Sequence, residues 1–237
     1  MEHIYKGGSK MAGYHIIHRA TNASNYVAVA GVLKLPNSCD CRSDSAIGVN
    51  DGVFPEFFFG FYKGIYGLDI GILYRGQGSG TKNFRLFCNG FSNTVNNTSH
   101  YTEEIMAGIS KGDTITLRAY LSGNNIVLTV DGYSKQLITP LTVGAASAFN
   151  GGSIINRELT CASNSSSFIP SAAYFSDTTW SDTTMTTTSG SYVKLSTTNS
   201  KLSHYADSGT MDGSRWGYVD LGNVNGFSKE YGSCDFR

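Results

Sequence analysis

The chain has 237 residues, carries 18 basic and 18 acidic side chains, and is only 15% charged, against an average of about 25%. Without net charge it has no field to attract nucleic acid or an anionic membrane surface, so we expect neither partner. No apolar run approaches the roughly 18 residues of a membrane-spanning helix, and residues 1–10 lack the apolar segment of a signal peptide. We expect one domain over residues 1–237, with residues 1–12 as a candidate flexible segment.

Alternation of apolar and polar residues predicts several short strands in the first half of the chain. They lie at residues 14–17, 26–35, 57–62, 68–75 and 83–91. Thr21–Asn25 is the predicted turn between the first two strands, and Asn37–Pro55 reads as a loop. The strands at 57–62 and 68–75 are apolar on both faces, which is typical of the centre of a sheet.

The clearest strand pair lies between Thr114 and Gly132. Four apolar residues alternate with polar ones, a polar turn follows at Ser122–Asn125, and three more apolar residues alternate on the way back. The seven apolar positions are Ile115, Leu117, Ala119, Leu121, Ile126, Leu128 and Val130. This pattern predicts a β-hairpin with one buried face, which needs a second sheet to cover it.

Further strands are predicted at residues 136–143, 154–161 and 174–180. The segment 177–200 is rich in Thr and Ser and suits either a solvated strand pair or a linker. We favour strands because Tyr192–Leu195 alternates. We find no convincing helical period. Many short strands separated by Gly and Asn turns predict an all-β fold, a two-sheet antiparallel β-sandwich.

Three segments resemble the concanavalin A-like jelly-roll superfamily of lectins and glucanases. They are Lys111–Leu117, the Gly123-Asn124 turn and Leu128–Gly132. The resemblance covers about half of the chain and implies a jelly-roll sandwich. The glucanases of this superfamily carry an E-x-D-x-E or E-x-D-x-x-E motif, which this chain lacks, and that absence argues against such an activity.

The order of segments is also similar to that of the glutamic peptidases, the eqolisins, which use a glutamine and a glutamate to activate water. An apolar strand pair and a hairpin precede Asn156-Arg157-Glu158. Asp69 stands about where the family's glutamine would be expected, and Gln77 and Gln136 lie in unsuitable contexts. On this ground we interpret Glu158 beside Arg157 as one half of a surface or structural ion pair.

Glycines inside the two apolar strands mark the best candidate site. Glycine in a strand is common where a ligand approaches the backbone. If Leu68, Ile70, Ile72 and Tyr74 face the core, the opposite face around Gly60 and Gly71 presents the candidate ligand-binding residues Phe58, Tyr62, Asp69 and Arg75. Aromatic rings with a few polar groups suit the recognition of sugars, although loops covering these rings would explain the pattern equally well.

Trp180 and Trp216 stand in polar surroundings and are added as candidate stacking residues for a glycan, with core anchoring as the alternative. We expect no cofactor. Calcium in the C-terminal region is the one possibility that the sequence raises, because five oxygen-bearing residues cluster there, and solvated turns explain them as well. They are Asp207, Asp212, Asp220, Asn223 and Asn225.

Cys39 and Cys41 lack the spacing of a metal site. His15 and His18 are predicted on opposite faces of a strand.

The sequence favours a secreted or cell-surface, non-catalytic, lectin-like β-sandwich that binds a neutral glycan or polysaccharide. Two alternatives stay open. The first is a hydrolase of the same fold, acting on a polysaccharide or a peptide with Asp69 and Glu158 as its acid and base. The second is a structural surface protein without a small ligand.

Overall fold

The computed structural model describes residues 12–41, 53–76, 81–92, 99–142, 144–163, 173–207 and 209–237. Within these ranges the chain forms sixteen strands and one short helix. They are β1 (Ala12–Thr21), β2 (Tyr26–Lys34), β3 (Cys39–Asp40), β4 (Val53–Lys63), β5 (Tyr66–Arg75), β6 (Asn83–Ser92), β7 (Ser99–Ile105), β8 (Thr114–Ser122), β9 (Asn125–Val130), β10 (Gln136–Pro140), α1 (Ala145–Asn150), β11 (Ile154–Ser163), β12 (Tyr174–Thr187), β13 (Tyr192–Lys194), β14 (Ser200–Ala206), β15 (Trp216–Val224) and β16 (Phe227–Asp235).

The strands form two antiparallel sheets. A seven-stranded sheet has the order β14-β1-β11-β4-β5-β6-β7, and a nine-stranded sheet has the order β10-β9-β8-β2-β12-β16-β15, with β3 and β13 also paired to β12. The predicted antiparallel β-sandwich is therefore confirmed. No helix in the described part of the chain is long and apolar enough to cross a membrane.

Aromatic side chains of β4 fill the space between the sheets. Phe57 meets Phe175 edge-on with ring centroids 5.2 Å apart, and Phe59 lies 4.8 Å from Trp180. Each of these side chains is almost completely buried, which stabilises the fold by roughly 1.5–3 kcal/mol per side chain. The alternate residues of β4 must then point out of the sandwich, which is how this strand presents a site.

A buried ion cluster also lies between the sheets. Arg157 of β11 pairs with Glu230 of β16, and Arg19 of β1 contacts both Glu230 and Asp220. The predicted pairing of Arg157 with Glu158 is wrong, because consecutive strand residues point to opposite faces. Arg157 faces the core, whereas Glu158 faces outward from the seven-stranded sheet.

Several predicted elements appear where expected. The hairpin forms as β8 and β9, and the two strands apolar on both faces are β4 and β5, near the middle of their sheet. The Thr- and Ser-rich segment forms β12 and β13, as favoured. Most of the loop predicted at 37–55 falls outside the described residues.

Other features differ from expectation. The turn after β1 does not close a hairpin, because β1 and β2 lie in different sheets. The helix α1 and the strands β3, β7, β14, β15 and β16 were not predicted, and β3 lies within the segment predicted as a loop. β15 is largely exposed on both faces, so its sequence lacks the alternation that marks a half-buried strand.

Candidate functional site

The outer face of the seven-stranded sheet carries the candidate site. Phe58, Gly60 and Tyr62 alternate along β4 and share this face. In the register of the sheet, Glu158 of β11 lies opposite Phe58, and Asp69 of β5 lies opposite Gly60. Asp69 and Glu158 therefore project from the same face, on the two strands that flank β4. The register agrees with the predicted common face of Phe58, Tyr62 and Asp69, while their role in binding stays a prediction.

A β-bulge in β1 adds two histidines to this face. The pairing of β1 with β11 shifts by one residue between His15 and Ile17, so that His15 lies opposite Thr160 and His18 lies opposite Glu158. The prediction that the two histidines face opposite ways is wrong, because a bulge inserts an extra residue and reverses the alternation. Their rings lie edge to face with centroids 6.5 Å apart.

Glu158 is held as a buried carboxylate by this histidine pair. The side chain is 1% exposed, and its Oε2 lies 2.5 Å from His15 Nδ1. Burial would raise the pKa of Glu158, but His15 and His18 together outweigh burial and hold the pKa below the ordinary value of 4.5. Thr160 Oγ1 lies 3.4 Å from the same oxygen, and Asn156 Nδ2 lies 3.5 Å from Oε1.

His15 is the cation that pairs with the buried Glu158 carboxylate. Burial would lower the pKa of His15, but Glu158 and Asp207 overcome burial and raise it to about 10. The Asp207 carboxylate lies 3.4 Å from Nε2 and also accepts a 2.8 Å hydrogen bond from the backbone N–H of Gly13. Tyr205 stacks on the imidazole with centroids 4.2 Å apart. His15 therefore stays charged across the neutral range.

His18 differs from His15 in charge. Burial lowers the pKa of His18 below 6.5. Its Nε2 lies 2.9 Å from the amide nitrogen of Asn156, which donates, so Nε2 accepts and Nδ1 carries the proton toward Ser203 Oγ at 2.9 Å. A neutral tautomer fits both contacts. Only one of the two histidines is thus a cation at neutral pH.

The pKa of Asp69 is shifted in the opposite direction to that of Glu158. Burial, and after it the Glu158 carboxylate, raise the pKa of Asp69 to about 7 against the opposing effect of a hydrogen bond from Tyr62. The Tyr62 hydroxyl donates to Asp69 Oδ1. Tyr62 can reach Asp69 because its ring lies over Gly60, where a Cβ would come within 2.3 Å of ring atom Cε2. The glycine thus makes room for the tyrosine that holds Asp69.

The two carboxyl groups together have the chemistry of an acid and a base. Two strand spacings of about 4.8 Å and two residues of about 3.3 Å separate the Cα atoms of Asp69 and Glu158 by roughly 12 Å. Near pH 6 Glu158 is ionised and can accept a proton, while Asp69 is largely protonated and can donate one.

Arg75 and Phe58 lie on the same face. The Arg75 Nε lies 3.0 Å from Glu103 of β7, and its guanidinium covers the Phe54 ring at 4.9 Å. Phe58 is only 3% exposed and meets Phe87 edge-on, with centroids 5.9 Å apart. Phe58 therefore packs within the layer of side chains that covers the sheet.

Both tryptophans belong to the nine-stranded sheet, whereas Asp69 and Glu158 project from the outer face of the seven-stranded sheet. Trp180 is 0% exposed, and its Nε1–H donates a 2.9 Å hydrogen bond to the Glu158 carbonyl oxygen. Stacking on a glycan would require an exposed indole, so that hypothesis is wrong for Trp180. Trp180 is a core anchor, and we leave it out of the candidate site. Trp216 lies on β15, stacked on Tyr218 with centroids 5.8 Å apart and tilted against His204.

The residues considered as calcium ligands have other partners. Asp207 contacts His15, Asp220 pairs with Arg19, and Asp212 accepts hydrogen bonds from Ser214. Among the described residues, no group of three or more His, Cys, Asp or Glu side chains could hold a metal ion. The five cysteines, which are Cys39, Cys41, Cys88, Cys161 and Cys234, are buried free thiols.

Sequence reasoning missed the residues that surround the two histidines. Tyr205 and Asp207 come from β14 and the residue after it, about 190 positions after His15 and His18 along the chain. Their approach depends on the pairing of β1 with β14, for which the sequence gives no local signal. The bulge at residue 16 also has no marker in the sequence, since neither glycine nor proline stands there.

The chain is similar in fold to known proteins. No protein-family model and no curated protein matches the sequence. SCP-B, an eqolisin peptidase solved in complex with the tripeptide Ala-Ile-His, is 16% identical over 95% of this chain and 99% of its own, with a TM-score of 0.53. A family 16 endo-glucanase from Bacteroides ovatus is 14% identical over 62% of this chain and 66% of its own, with a TM-score of 0.40.

A homodimeric agglutinin from chicken liver is 11% identical over 62% of this chain and 91% of its own, with a TM-score of 0.35. The likeness to SCP-B is one of fold, and it agrees with the predicted two-sheet sandwich and with the predicted resemblance to the glutamic peptidases. A fold does not by itself determine a function, so this likeness leaves both binding and hydrolysis open.

Proposed function

We propose that the protein hydrolyses peptide bonds by general acid–base catalysis. Glu158 is the base that takes a proton from water as the water attacks the carbonyl carbon, and Asp69 is the acid that protonates the leaving nitrogen. The observation that carries the proposal is the pair of carboxyl groups on one face whose pKa values are displaced in opposite directions. Such a divergence is how carboxyl groups are divided into acid and base.

The likeness to SCP-B favours a peptide over a glycan as the substrate. It extends over 95% of this chain, and that protein is a peptidase. The family resemblance would place an amide where this chain has Asp69. An amide cannot transfer a proton, whereas a carboxyl group with a pKa of about 7 can. The change from amide to acid therefore divides the two proton transfers between two residues.

The pKa directions define a pH window for activity. Glu158 must be ionised, so activity is lost as pH falls through a pKa lying below 4.5. Asp69 must be protonated, so activity is lost as pH rises through about 7. We expect a bell-shaped profile with a maximum near pH 5–6.

A peptidase assay with matched variants tests this function. Unfolded protein substrates are incubated at pH 4–8, and the released peptides are measured by mass spectrometry. Asp69→Asn and Glu158→Gln should each lower kcat at least about 100-fold. The control is Glu104→Gln, which removes a surface carboxylate that pairs with Lys135 at 2.9 Å. No cleavage by the wild type at any pH would refute the proposal.

Recognition of a neutral glycan is a second candidate, supported by the rings on the same face. Tyr62 and Phe91 lie with centroids 6.2 Å apart, and the partly exposed Tyr101 lies on the same face, across β5 and β6 from Gly60. Such rings can stack on sugar faces. Affinity electrophoresis in plant, fungal and bacterial polysaccharides tests this candidate, since Tyr62→Ala and Tyr101→Ala should weaken retention.

We further propose that the protein is secreted or displayed at a cell surface, because both candidate substrates, unfolded protein and polysaccharide, are abundant there. Immunodetection in culture medium against washed cells tests this. Detection only inside intact cells would contradict it.

A further inference from the structure

Glu56 is a third carboxyl group on the face of the acid–base pair. It lies on β4, where the register places it opposite Thr160 of β11 and Leu73 of β5. It precedes Phe58 and Gly60 along the same face of the strand. Its position is thus one row from Glu158 and two rows from Asp69.

The side chain of Glu56 is buried with an unmet hydrogen-bonding capacity. It is 4% exposed, and within the described part of the chain its Oε1 has no hydrogen-bond partner. Buried polar atoms without a partner are rare in folded proteins, and each one needs an explanation. One such explanation is that a substrate group supplies the missing hydrogen-bond partner.

The charges around Glu56 favour its protonated form. Burial, and after it the Asp69 carboxyl group, raise the pKa of Glu56 to about 8 against the opposing effects of Arg75 and His15. Glu158 also disfavours a second negative charge there. The guanidinium that could have neutralised Glu56 lies instead on Glu103, 3.0 Å from Arg75 Nε.

A protonated carboxyl group is a hydrogen-bond donor. We propose that Glu56 donates a hydrogen bond to the carbonyl oxygen of the scissile bond and stabilises the negative charge that develops there. The proposal rests on the hydrolytic function above. Water transfers a proton to Glu158 as it forms the new C–O bond with the carbonyl carbon. The carbonyl oxygen becomes negatively charged and accepts the hydrogen bond from Glu56. The C–N bond then breaks as Asp69 protonates the leaving nitrogen.

Two substitutions separate this role from a packing role. Glu56→Leu removes the donor and keeps the volume, so kcat should fall about 100- to 1000-fold, the loss typical of a single oxyanion donor. KM should stay within about threefold. Glu56→Gln keeps a neutral donor, so kcat at pH 6 should stay within about tenfold of the wild type.

The pH profile gives a second readout. In the wild type both Asp69 and Glu56 must be protonated, so above pH 8 the logarithm of kcat/KM should fall with a slope of about −2. In Glu56→Gln only Asp69 still titrates, and the slope should become about −1. Urea unfolding of each variant shows whether it is folded, and Glu104→Gln again serves as the surface control.

The outcomes distinguish the two proposals. Absence of hydrolysis by the wild type overturns both of them. Wild-type hydrolysis with a fully active Glu56→Leu, or with an unchanged alkaline slope in Glu56→Gln, overturns the role of Glu56 alone. Should Glu56→Leu fail to fold, the slope and the rate of Glu56→Gln decide the matter by themselves.

Discussion

Replacing His15 by glutamine would expose how much the site depends on one buried cation. The pKa of His15 rises from 6.5 to about 10 in the folded protein. At 1.36 kcal/mol per pH unit, this rise corresponds to roughly 4–5 kcal/mol of stability. Removing one partner of a buried ion pair costs about 3–5 kcal/mol in other proteins. We therefore expect His15→Gln to lower the free energy of unfolding by about 3–5 kcal/mol near pH 6.5.

The pH dependence of this loss gives the sharper test. Because the pKa of His15 is raised on folding, its contribution is complete below pH 6.5 and disappears as pH rises toward 10. The contribution of Glu158, whose pKa is lowered, is present above pH 4.5 and is lost as pH falls through the folded value. The difference between wild type and His15→Gln should therefore be largest between about pH 4.5 and pH 6.5, and it should shrink as pH falls below 4.5 and as pH rises toward 10.

Equilibrium urea unfolding at pH 4, 5, 6.5, 8 and 10 measures this difference. The matched control is His18→Gln, which replaces a neutral histidine on the same face and should cost only about 1 kcal/mol. A loss that is independent of pH, or no larger than that of His18→Gln, would refute the assignment of His15 as a buried cation.

Three further predictions concern the site and the core. Tyr62→Phe removes the hydrogen bond that lowers the pKa of Asp69, so the alkaline limit of activity should move upward from about pH 7; an unmoved limit in the pH–rate profile would contradict this. Trp180→Phe should cost about 2–3 kcal/mol in urea unfolding without changing KM, because the indole is fully buried; weakened substrate binding at full stability would contradict it. Gly71→Ala places a Cβ within 2.3 Å of the Phe57 carbonyl oxygen, so it should lower the free energy of unfolding by about 3 kcal/mol or more in thermal unfolding. The control Gly213→Ala, where no atom lies within 4 Å of the new Cβ, should change it by no more than about 0.5 kcal/mol. Equal effects of the two substitutions would contradict the clash at Gly71.

Local pattern predicted most of the half-buried and fully buried strands, with β16 as an exception. The hairpin of β8 and β9 alternates regularly because one of its faces meets the core and the other meets water. β4 and β5 read as central strands because both of their faces are covered. β15 is exposed on both faces, so burial did not shape its sequence and no pattern marked it.

The candidate site was predicted only in part. The shared face of Phe58, Tyr62 and Asp69 follows from the two-residue period of a strand, which the sequence displays directly. Glu158 was considered as a base, but its predicted partner was its neighbour Arg157. The structure assigns that partner to His15, because a bulge and the return of the chain through β14 bring distant residues together.

The sequence by itself determined the strand-forming segments and the phase of their alternation, since burial acts on each residue through its nearest neighbours along the strand. Only the tertiary structure decided which carboxyl groups share a charge environment. That environment depends on the order of strands in the sheet and on long-range burial, which set the pKa values of Glu56, Asp69 and Glu158 in opposing directions.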